Sequence, residues 1–159
     1  MGKFIFCIAI LLASTLIGKT FTDKHAKKYS FYDSLKRFNL SLKQNIKFKR
    51  KNIIELLDFK TSDEDFNCFL SSYKLKVTAI NDEKIYTPTW ASEEDVEFLT
   101  SYLNGIGKNG SISELDFLNS YEDGINDKLI KIKENDAKYS KLGQKLGFAV
   151  GMGLVVIIL

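Results

Sequence analysis

Residues 31–46 read FYDSLKRFNLSLKQNI, and their apolar members Phe31, Leu35, Phe38, Leu42 and Ile46 return every third or fourth residue. That spacing lines one face of an α-helix, with Lys36, Arg37, Lys43, Lys47 and Arg50 elsewhere on it. Working outward, proline occurs once, at Pro88, so almost the whole chain is permitted to be helical. An all-α protein is the expectation. At 159 residues, 45% apolar and 27% charged, the chain has the size and balance of one folded domain rather than a disordered segment.

The same period continues downstream. NIIELLDF from Asn52 reads as a short second helix. TSDEDFNCFLSSYKLKV starts with Ser62 and Asp65, spaced as an N-cap and its third-position acid, and then presents Phe66, Phe69, Leu70, Tyr73 and Val77 for burial. After a break at YTPTW, Ser92 and Asp95 repeat the cap spacing ahead of Val96, Leu99, Leu103 and Ile106. NGIGKNGS supplies a turn rich in glycine and asparagine. From Ile112 the chain reads as one helix, with Leu118, Ile125, Ile132, Tyr139 and Leu146 spaced by sevens and Leu115 and Leu129 beside them. Such a helix would run about 70 Å. The expected architecture is a bundle of about six helices whose first and last members extend into a membrane as two spans.

The spans rest on two apolar runs, Phe4 to Gly18 and Leu146 to Leu159. Each is shorter than the roughly 20 residues that cross a bilayer, but Lys3, Lys19 and Lys145 can lie along a helix with their ammonium groups at the headgroups, giving spans of about 18 residues. Lys19, Lys24, Lys27 and Lys28 follow the first run, and Lys138, Lys141 and Lys145 precede the second. Basic residues near membrane ends stay cytoplasmic, so residues 19–145 are expected in the cytoplasm of a cell-membrane protein. The expected division is a membrane helix at 1–21, a cytoplasmic helical bundle at 22–141 and a second membrane helix at 142–159. Gly143, Gly147 and Gly151 repeat every fourth residue, Gly153 follows Ala149 at the same spacing, and the first run offers Ala9 and Ala13. In lipid, small residues so spaced let helix backbones approach closely. The alternative is a secreted surface protein, with a cleaved signal peptide and a lipid-anchored or tail-anchored C terminus.

Charge is distributed unevenly. Lys19–Lys60 carries 12 basic and 4 acidic residues, Thr61–Asp127 carries 4 and 14, and Lys128–Lys145 carries 6 and 2. Basic segments therefore flank an acidic middle. The basic helix is suited to anionic lipid rather than nucleic acid, because its aromatic residues fall on the apolar face instead of forming stacking platforms. The acidic middle, with Glu93, Glu94, Asp95 and Glu97 at its densest point, is suited to a basic protein partner.

Catalytic chemistry is not indicated. His25 is the only histidine, and neither Cys7 nor Cys68 belongs to a metal-binding cluster, so no catalytic residue, cofactor or metal is expected. Three of the four clustered acids fall in a first helical turn, where carboxylates suit the helix dipole better than a metal. GIGKNGS departs from the phosphate-loop pattern G-x-x-x-x-G-K-[ST], because Ser111 follows Gly110 and the preceding segment reads as helix.

Four stretches, LLASTLIG, LKRFNLSLKQNIKF, LNGIGKNGSISEL and KYSKLGQKLGFAVGMGLVVIIL, taken in this order and at this length, resemble the stage III sporulation protein AB family of endospore-forming bacteria. The resemblance implies residence in the mother-cell membrane around the forespore, in a secretion-like channel complex that also contains an ATPase, stage III sporulation protein AA. It also implies a domain similar to the helical cytoplasmic domains of type II secretion platform proteins, and hence an adaptor coupling that ATPase to membrane components. Two positions depart from the family turn: Gly110 stands where aspartate is usual and Glu114 where glutamine is usual. Ser111 with Glu114 would form a substitute capping box.

Overall fold

A computed structural model describes the backbone at residues 2–49, 52–79, 84–108 and 111–158, and side chains at 23–48, 52, 54–78, 84–108 and 112–135. Helices make up most of the described residues, which contain no strand. Five α-helices follow in order: α1 Gly2–Gln44, α2 Ile53–Leu56, α3 Glu64–Ala79, α4 Glu93–Gly105 and α5 Ser111–Ile158, with a π-helical turn at Asn45–Lys49 closing α1. The expected count was about six; the described residues hold five. NIIELLDF contracts to the single turn of α2, and residues 84–92, where the break at YTPTW was expected, stay outside helix around Pro88, which has no N–H to donate and holds Thr87 away from the helical region.

Two compact units divide the chain, one spanning Lys28–Leu129 and the other combining Met1–Lys27 with Ile130–Leu159. In the first, Phe31, Leu35, Phe38 and Leu42 of α1 are almost fully buried, as their spacing requires. The stripe stops at the π turn. Ile46 is half-buried and Phe48 is 81% exposed, because a π turn adds a residue and rotates the face that follows. Phe31 lies at the centre of an aromatic cluster, 5.4 Å from the rings of both Phe66 and Phe69 in α3 and 5.1 Å from Trp90. Burying an aromatic side chain of this kind contributes about 2–3 kcal/mol.

A second ring cluster joins α4 to α5: Tyr121 lies 5.1 Å from Phe98, 5.1 Å from Tyr102 and 4.7 Å from Phe117. Phe117 packs so closely over the end of α4 that a Cβ on Gly105 would fall 2.2 Å from its Cζ, so any larger residue there would force the ring to shift. Gly107 then turns the chain with φ 78°, in the region that favours glycine. Glu114, itself buried, accepts the Gly107 N–H at 2.8 Å and ties the turn to α5. The side chain of Ser111, the other half of the expected box, lies outside the described residues.

The spacing by sevens in α5 holds at Leu118, Ile125 and Ile132, all buried, while Tyr139 and Leu146 have side chains outside the described residues. One expectation in α3 is corrected. Tyr73 is buried, its hydroxyl donating to the Leu103 carbonyl at 2.7 Å, whereas Val77, one turn further along, is 45% exposed. Among the described residues no helix is long and apolar enough to cross a membrane. The side chains of the two terminal apolar runs lie outside them.

Candidate partner interface

The best-defined polar centre is at the start of α4. Ser92 is the N-cap; its hydroxyl oxygen accepts the Asp95 N–H, and the Asp95 carboxylate accepts the Ser92 N–H at 3.1 Å and its hydroxyl at 2.7 Å. This is the capping box that the spacing predicts. The same carboxylate accepts Lys28 Nζ at 2.6 Å and the Tyr32 hydroxyl at 2.7 Å from α1, and lies 3.4 Å from Lys128 Nζ of α5. One aspartate thereby joins three helices.

Asp95 is 1% exposed, which corrects its expected place on a partner surface: five hydrogen-bond donors from four residues draw it inward. Burial alone would raise its pKa, but hydrogen bonds from Lys28, Tyr32 and Ser92 outweigh burial and hold the carboxyl well below the usual range. Burial, then the bond to Asp95, pushes the Tyr32 phenol well above its ordinary value. The two lysines also lie against rings, Lys28 at 5.9 Å from Trp90 and Lys128 at 5.1 Å from Phe98. A neighbouring link repeats the design without charge: buried Asn39 donates to the Leu118 carbonyl and accepts the Tyr102 hydroxyl, both at 3.0 Å.

The other three acids remain outside. Glu94 is exposed and pairs with Lys128 at 3.0 Å; Glu93 and Glu97 are exposed. Lys28, Tyr32 and Lys128 carry no sequence signal for this role, since they lie 67, 63 and 33 residues from Asp95 and only tertiary packing unites them.

Residues 84–90 form a strap along α3. The Tyr86 N–H donates to Ser72 Oγ at 2.9 Å, and the Tyr86 hydroxyl and the Trp90 indole N–H both reach Asp65, at 2.6 and 3.2 Å. Hydrogen bonding to Asp65, with a smaller contribution from burial, pushes the Tyr86 phenol up to about 12. Asp65 is therefore not the third-position acid of a Ser62 cap. Asp63 caps α3 instead, accepting the Phe66 N–H at 2.8 Å.

Gly143, Gly147, Gly151, Gly153, Ala9 and Ala13 lie in α5 and α1, with environments outside the described residues. Among the described residues no group of three or more His, Cys, Asp or Glu could hold a metal ion. His25 is half-buried in α1, and Cys68 is exposed.

Fold and site define an all-helical domain protein whose core is locked by buried polar links. The family model for stage III sporulation protein AB matches residues 3–159, nearly the full length, and the chain belongs to that family. It is a sporulation-stage family and not a known enzyme family. Neither curated proteins nor solved structures give a match to this chain.

Proposed function

We propose that this chain is a non-enzymatic membrane platform of a sporulation channel complex. In this reading its two apolar termini cross the mother-cell membrane and its helical domain, on the cytoplasmic side, couples the ATPase stage III sporulation protein AA to other membrane proteins of the complex. The carrying observation is the family match from residue 3 to residue 159, which includes both apolar runs. The exposure of Glu93, Glu94 and Glu97 supports a role for them in meeting a basic partner, while Asp95 acts from inside by holding the helix that bears them. The basic residues beside each run would meet anionic lipid, and nucleic acid has no part in this reading.

Co-purification tests the coupling. Lysine at positions 93, 94 and 97 is expected to reduce recovery of the ATPase with the chain; unchanged recovery removes the acidic face from that contact. Gly147→Leu with Gly151→Leu is expected to lose the membrane partners while the helical domain still folds. Topology has its own test. Asn109→Cys in a Cys68→Ser background should resist a membrane-impermeant thiol reagent in intact cells and react once the membrane is opened; labelling in intact cells would reverse the orientation.

A further inference from the structure

Beside the acidic turn, α4 presents a flank bordered by two open hollows of about 280 and 440 Å³, which share Val96 and Thr100 in their walls. Phe69, Pro88 and Leu99 supply much of the apolar floor of the first hollow. The rim is sorted by sign: Lys76 and Lys84 border the first hollow, Glu93 and Glu97 the second. All four are exposed, and none has an ion-pair partner among the described residues.

The shape and charge narrow the occupant. A small molecule would remain largely in water here, whereas small-molecule sites enclose most of their ligand. A nucleic acid or an anionic bilayer presents one sign of charge and would meet repulsion at Glu93 and Glu97. A polypeptide can carry apolar anchors and both signs of charge. The wall is also held in place beforehand, since Tyr86 is bonded to Ser72 and Asp65 at opposite ends, which lowers the ordering cost of docking.

We propose that the double hollow on α4 docks a polypeptide segment of a partner protein, with apolar side chains over Val96 and Leu99, an acidic residue toward Lys76 and Lys84, and a basic residue toward Glu93 and Glu97. The inference rests on the platform reading only in expecting a protein partner.

The test selects short random peptides on the full-length chain in detergent. Native chain should enrich peptides with apolar residues between an acidic and a basic end. Lys76→Glu with Lys84→Glu makes the rim wholly acidic, so the selected peptides should become basic at both ends. Thr100→Arg, which fills the shared wall, should weaken binding of a selected peptide about tenfold or more. Exposed Thr87→Arg replaces it if that variant loses helical signal or melts early. Failure to enrich any peptide, charges unmoved by the rim variants, or full binding to the filled groove would overturn the proposal. Self-association of the native chain that Thr100→Arg abolishes would assign the groove to a second copy and also overturn it. The ATPase co-purification test stands apart: polarised peptides with unchanged ATPase recovery would sink that coupling and leave the groove standing.

Discussion

α3 and α4 begin with the same spacing, Ser62 to Asp65 and Ser92 to Asp95, yet only the second closes as a capping box. At α4, Asp95 turns back to Ser92 and also gathers Lys28, Tyr32 and Lys128, so the local cap and the tertiary clamp use one carboxylate. At α3, Tyr86 and Trp90 from the strap bind Asp65, and Asp63 becomes the cap. A cap motif offers the carboxylate only a backbone N–H and a hydroxyl. Whichever donors the rest of the fold brings within reach decide whether it stays there, and two donors from a distant segment displaced the local ones at Asp65.

The largest break in this comparison should come from Asp95→Ala, which leaves two lysines and a buried tyrosine hydroxyl without their shared acceptor; a loss of about 3 kcal/mol is expected in urea unfolding of the full chain in mild detergent. Asp65→Ala should cost about 2 kcal/mol, because two neutral donors lose one charged acceptor. Trp90 is the only tryptophan, so its fluorescence should report release of the strap in that variant, while α4 keeps its helical signal. Asp63→Ala removes a single cap and should cost about 1 kcal/mol. Ser62→Ala should change stability by less than about 0.5 kcal/mol, since Ser62 is exposed and is not the cap. A loss at Ser62 as large as that at Asp63 would restore the local reading of α3.

Acid sharpens the contrast further. Asp95 has a folded pKa below its unfolded one, so its contribution is complete above about pH 4 and drains as pH falls below that, when the unfolded chain binds the proton more readily. Native chain should therefore lose stability on acidification more steeply than Asp95→Asn. Parallel acid limbs for the two proteins would deny Asp95 its ionised role.

Much of the helical plan was legible. Phe31, Leu35, Phe38 and Leu42, then Phe66, Phe69, Leu70 and Tyr73, and later Leu118 and Ile125 entered the core as their periods indicate, because burying one face of a helix needs only the right spacing. Val77 and Phe48 lie outside it, Val77 exposed in the last turn of α3 and Phe48 in the π turn that ends the stripe of α1, and periodicity alone marks neither. At the candidate site, Glu93, Glu94 and Glu97 were legible as an exposed acidic turn. Asp95 was not separable from them, since four acids in five residues look alike until burial distinguishes one.

By itself, then, the sequence determined the helical class, the cap of α4, the glycine turn before α5 and the family. Each of these depends on residues close in the chain or on a pattern repeated along it. Tertiary structure alone decided which acid became the clamp, which aspartate capped α3, and that α3, the strap and α4 leave a groove with opposite charges at its ends. Those outcomes depend on donors and walls brought together from dozens of residues apart, where only the packed core sets the distance.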